Sequence, residues 1–218
     1  MNKTLIFCIF LFITSLCICS CNSDFDIIYS NINIPGLDAS LQIPVYNKYN
    51  EFSEYVNNQL TKDFEKYKGY ALTEWELYQE DTLTYRTVFK DLSTARYINV
   101  FISKFIYCGP EMEDEYYITF SYDKKNKKIL DITDCTKMDT ETLSLCCKDK
   151  LKKNITKIVR DKEYVEFLNS CVESKLTTQI KNYLAFSIQN KKVKIYFAPG
   201  DIFPKKYGGQ IVEFKQSL

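Results

Sequence analysis

The chain has 218 residues, 29 Lys and Arg against 28 Asp and Glu, a formal charge of +1, and no His. The missing imidazole excludes Ser-His and Cys-His catalysis and any His-based zinc centre. The balanced charge excludes the basic excess of a nucleic-acid binder, so no nucleic acid is expected as a partner.

Residues 1–20 read as an export signal. Lys3 supplies the positive start, residues 5–13 are uninterruptedly apolar, and the segment ends in Ile18-Cys19-Ser20-Cys21. A charged start, an apolar middle and a small-residue end are the parts of a secretory signal. The last four residues resemble a bacterial lipobox: a branched aliphatic residue, a loosely chosen one, a small one, then a cysteine. In signals of that kind the chain is cut before the cysteine and its thiol carries the lipid. Cys21 is therefore the expected lipidation site, a palmitate-type anchor worth about 0.8 kcal/mol per buried methylene. An ordinary cleaved signal is the alternative. Residues 21–26 would form the tether. The segment 1–20 holds one Lys and no acid, so the remainder carries 28 residues of each sign. A net charge of zero argues against adhesion to anionic lipid by overall charge.

Beyond the tether, residues 25–34 alternate as a strand, with Ile28, Ile32 and Ile34 expected on its inner face and Pro35-Gly36 ending it. A second extended piece covers 37–46. Phe52, Val56, Leu60 and Phe64 recur at intervals of four and predict a helix over 47–68, capped by Asn47 or Asn50 and ended by Gly69. Strands follow at 83–89, 97–105 and 115–122, then a charged turn at 123–128 and a return to extended structure at 129–132. Helices are expected over 140–159 and 161–176, capped by Asp139 or Thr140 and by Asp161. The end is again strands, at 183–189, 192–198 and 210–214, the first two joined by a tight Asn190-Lys191 turn. The fold class is α+β, a mostly antiparallel sheet with about three helices packed on it.

Five cysteines lie beyond Cys21: Cys108, Cys135, Cys146, Cys147 and Cys171. Leu143, Cys147, Leu151, Ile155 and Ile158 share one helical stripe, and Tyr164, Leu168, Cys171 and Lys175 share another. Cys147–Cys171 is thus the preferred disulfide, with two small thiols inside a core as the equal alternative. No spacing favours a metal site, and no cofactor is expected.

Several stretches resemble a known family. Tyr116 to Asp123, followed by Lys128 to Asp134, resembles its strand, turn and Leu-x-Asp step. Tyr183 to Ile188 resembles a later strand, and Lys194 to Ile202 with Tyr207-Gly208-Gly209 its closing segment. This is the extracytoplasmic domain of the RsiV-type anti-sigma factor, a lysozyme sensor. Ile32-Asn33-Ile34-Pro35 and the Phe52–Asn57 stretch resemble the companion domain that usually precedes it. The resemblance implies a companion subdomain over 27–108 and an RsiV-like domain over 109–218. The chain departs from the family in two ways. The usual Gly-Gly-Ala-His step is replaced by Cys108-Gly109-Pro110-Glu111-Met112, without the His. Only twenty residues precede Cys21, so a sigma-factor-holding role is not implied.

Glu111, Glu113, Asp114 and Glu115 form an acidic cluster that reads either as a contact surface for a basic partner or as a solvated loop. Asp131 and Asp134 read as paired carboxylates for glycoside chemistry or as turn residues. No catalytic constellation is expected. The sequence reads as a membrane-anchored extracytoplasmic binding lipoprotein of the cell envelope, for a muramidase, another envelope protein or a wall glycan. The alternative is a peptidoglycan-modifying enzyme or its accessory domain.

Overall fold

A computed structural model describes residues 24–78, 82–109 and 113–217. Cys21 and Glu111 lie outside them. The class is α+β, as expected. The described residues build two sheets rather than one. The larger holds β1 (Asp26–Ile34), β2 (Leu37–Val45), β3 (Leu83–Asp91), β4 (Tyr97–Tyr107), β5 (Glu113–Asp123) and β6 (Lys128–Leu130), in chain order. All its pairings are antiparallel except β2–β3, which is parallel over Leu37–Ser40. The smaller is an antiparallel meander of β7 (Phe186–Gln189), β8 (Lys192–Phe197) and β9 (Gln210–Lys215).

The helix α1 (Asn50–Tyr78) joins β2 to β3 and covers one face of the large sheet. Phe52, Val56, Leu60 and Phe64 are each 5% exposed or less, and the first three pack with Ile98, Val100, Ile102, Phe120 and Tyr122. Each such side chain stabilises by roughly 1.5–3 kcal/mol. Gly69 does not end the helix, which runs nine residues further. A glycine inside a helix costs only about 1 kcal/mol against Ala, and the burial of Ala71 just beyond it offsets part of that. Asn47 does not cap α1 either: its amide donates to Asp26 at 2.8 Å, while Tyr46 N–H donates to Ser53 Oγ at 2.6 Å. Ile32 and Ile34 reach the core, but Ile28 is 53% exposed on the edge strand β1, where the apolar cluster no longer covers it.

One polar cluster sits under α1. Lys104 alternates with Ile102 and Ile106 on the inner face of β4 and is 5% exposed. Its ammonium meets Asp63 at 2.8 and 2.9 Å, where Tyr85 also donates at 2.8 Å, and it lies over the rings of Tyr67 and Tyr116 at 4.7 and 4.8 Å. Burial lowers its pKa, and the Asp63 carboxylate only partly restores it.

The opposite face receives the small sheet. Asn99 donates to Ile188 O and accepts from Ile188 N–H, both at 2.9 Å, so its amide pairs with β7 as a neighbouring strand would. Thr119 Oγ1 accepts from Phe186 N–H at 2.6 Å and donates to Leu184 O at 3.2 Å. Phe101 meets Tyr117 tilted and Tyr196 edge-on, centroids 5.0 Å apart in both pairs. Gly209 sits where an added Cβ would fall 2.8 Å from Tyr117 Oη and 3.0 Å from Phe197 O, so any side chain there would force Tyr117 or the β8 backbone to shift. The β7–β8 turn has the form expected, with Asn190 and Lys191 at φ 51° and 59°.

Beyond the small sheet lie α3 (Thr140–Ile158) and α4 (Lys162–Lys175), close to their expected spans and capped by Asp139 and Asp161. The expected extended piece at 129–132 ends early, at Leu130 of β6, and a short helix not expected from the sequence, α2 (Ile132–Thr136), follows with Asp131 as its cap. Leu143, Cys147, Leu151 and Ile155 are fully buried, while Ile158 is 39% exposed. On α4 the buried pair is Leu168 and Val172; Tyr164 points outward, 49% exposed. The thiols of Cys147 and Cys171 are free, the alternative to the disulfide. Cys147 is enclosed in the core and Cys171 packs only at its margin. The expected boundary at 108/109 falls between β4 and β5, which pair across all eleven residues, so both segments share one sheet.

Candidate functional site

Strand β5 pairs with β4 along its whole length but with β6 only over Ser121–Asp123. From Glu113 to Phe120 its other edge has no strand partner among the described residues. A cleft of about 670 Å³ opens along that edge. Tyr55 and Gln59 of α1 form one wall, Tyr116 to Ser121 of β5 the floor, and Ile180 with Leu184 the far wall. Residues 180–183 make a 3₁₀ turn that sets that wall. Tyr55 stands edge-on to Phe120 at 5.8 Å. Tyr55, Ile180 and Leu184 are 37%, 42% and 56% exposed, so the apolar surface is presented to solvent.

The cleft also holds Asp131, Asp134 and Asp201, and each is already engaged. Asp131 accepts from Asp134 N–H at 2.7 Å and Thr133 Oγ1 at 2.6 Å. Burial acts to raise its carboxyl, but these hydrogen bonds outweigh it and hold the pKa below the usual value. Asp134 pairs with Lys128 at 2.7 Å. Asp201 closes the 198–201 turn, accepting from Ala198 N–H at 2.6 Å, and burial pushes its carboxyl up. The two carboxylates weighed for glycoside chemistry thus serve as a helix cap and a surface ion pair. The arrangement suits holding a ligand against aromatic and apolar walls, with the amides and lysines as polar contacts.

The acidic cluster lies at the start of β5, at the end of the sheet away from Asp24. Lys205 donates to Glu113 O and pairs with Asp114 at 3.0 Å. Tyr116 Oη donates to Asp114 at 3.2 Å, and Ser103 to Glu115 at 2.8 Å. The buried thiols offer no nucleophile: burial pushes Cys135 and Cys147 each up to about 12. No group of His, Cys, Asp or Glu among the described residues could hold a metal ion, and no described helix is long and apolar enough to cross a membrane.

Sequence reasoning missed Tyr55, Tyr116 and Leu184 as cleft residues. Tyr55 flanks the apolar stripe of α1, and only the crossing of helix and sheet reveals what it faces. Lys104 was legible in principle, since strand alternation places it between two core isoleucines.

No family model matches the chain, and no curated protein matches it. Solved structures do. A DUF3298 family protein from Pseudomonas aeruginosa PAO1 superposes with a TM-score of 0.59 at 11% identity, covering 88% of this chain and 89% of that one. A member of the same family from Bacteroides fragilis NCTC 9343 gives 0.59 at 18% identity, with the same coverage. At these identities the likeness is one of fold: the chain has the architecture of DUF3298 family structures across nearly nine-tenths of its length.

Proposed function

We propose that this chain is an exported lipoprotein, held at the envelope by acylation of Cys21, whose domain binds rather than converts its ligand. The observation that carries the binding reading is the cleft beside β5: open, walled by Tyr55, Tyr116 and Leu184, with every lining carboxylate committed to the fold. A wall glycan strand suits it best, because sugar rings stack on exposed aromatic side chains and an open cleft admits a chain. The resemblance to RsiV-type domains, and the fold shared with DUF3298 structures, support an extracytoplasmic module. A second reading uses the acidic start of β5 (Glu113, Asp114 and Glu115) as a contact for a basic muramidase.

Two measurements test this. Metabolic labelling with a palmitate analogue should mark the chain in the membrane fraction, and Cys21→Ala should remove the label. The full-length chain in detergent should retain glycan strands, and Tyr55→Ala with Leu184→Ala should weaken retention without lowering the melting temperature. Retention unchanged in that double variant would remove the cleft from the account.

A further inference from the structure

A net charge near zero conceals how the charges are distributed. The pairings Asp26 with Val45, Asp91 with Val100, Tyr97 with Asp123 and Asp123 with Lys128 bring six strand termini to one end of the large sheet. The β7–β8 turn joins them: Gln216 N–H donates to Lys191 O, and the Gln216 amide donates to Tyr97 Oη at 2.6 Å. Two of the acids at this end are ion-paired within the fold, and two are hydrogen-bonded but keep their charge. Asp24 pairs with Lys48 at 2.9 Å, and Asp123, 1% exposed, takes Arg96 at 2.8 Å. Asp26 accepts from Asn47, and Asp91 from Ser93. Lys125, Lys127 and Lys191 are exposed at the turn tips and form no ion pair among the described residues.

The same end carries Asp24, three residues from Cys21. Three extended residues span at most about 11 Å. An acylated Cys21 would hold this end against the headgroups, at a reach comparable to the Debye length of about 8 Å at physiological salt. We propose that the end bearing Lys125, Lys127 and Lys191 docks on anionic phospholipid, turning the acidic start of β5 away from the bilayer. This rests on the lipid-anchor reading, to which it adds an orientation.

The test is hydrogen exchange on the mature acylated chain, beginning at Cys21, in nanodiscs of pure phosphatidylcholine or of phosphatidylcholine with phosphatidylglycerol. Exchange at 124–127 and 189–192 should slow several-fold in the anionic discs only, and return to the zwitterionic rate in high salt. The K125E/K127E/K191E variant should lose this protection while exchange in β3–β5 stays unchanged, which shows it folded. Equal rates in both disc types, or protection at 113–115 instead, would overturn the docking. A chain that lacks acyl mass and leaves the discs would instead refute the anchor.

Discussion

The two faces of the large sheet are closed by different physics. Against α1, Phe52, Val56, Leu60 and Phe64 bury apolar area with little directional demand. Against the small sheet, Asn99, Thr119 and Ser121 hydrogen-bond to backbone groups of residues 184–188. The first contact tolerates small adjustments and loses energy in proportion to the volume removed. The second depends on named atoms, and a missing partner leaves buried backbone groups unsatisfied. One sheet can thus be cohesive on one side and specific on the other.

Substitutions can break or sharpen that contrast. The largest loss should follow Phe52→Ala, about 4 kcal/mol from burial and cavity terms together, read as a lower urea midpoint with exchange rising across α1. Asn99→Ala should cost about 3 kcal/mol, because both the N–H and the C=O of Ile188 lose their partner. Its signature differs: exchange should rise at Ile188 before the global transition. If Asn99→Ala behaved like a surface substitution, the polar docking would be incidental. Gly69→Ala should stabilise by up to about 1 kcal/mol, since nothing lies within 4 Å of the added Cβ. The smallest effect belongs to Glu173, which lies outside both faces and pairs with Lys148 and Lys152. Those lysines hold its carboxyl down to about 2. A depressed carboxyl stabilises above the unfolded value of about 4.3 and loses that contribution as pH falls toward 2. Because the pair is exposed, Glu173→Gln should cost about 0.5 kcal/mol or less at neutral pH, and the difference should vanish in acid.

The apolar face was the legible one. The four-residue stripe of α1, the caps at Asp139 and Asp161 and the Asn190-Lys191 hairpin all depend on neighbours within a few positions. The polar docking joins residues 89 positions apart, and nothing local to Asn99 announces it. The division into two sheets was lost for the same reason. Gly69 misled because glycine more often ends a helix than sits inside one. The site was least legible: the cleft exists only where α1, β5 and the 180–184 segment meet, and Asp131, readable as a catalytic candidate, was recruited as a cap.

The parallel join of β2 to β3 has a consequence for the order of assembly. The hairpins β1–β2, β4–β5 and β7–β8 can each zip from a nearby turn on a microsecond scale. The parallel join cannot, because the 29-residue α1 separates its two strands. The chain must close a long loop before that pairing returns any energy. The slow step in forming the large sheet should then track how readily α1 coils and lies down, tying the tempo of folding to a helix that carries Gly69 in its second half.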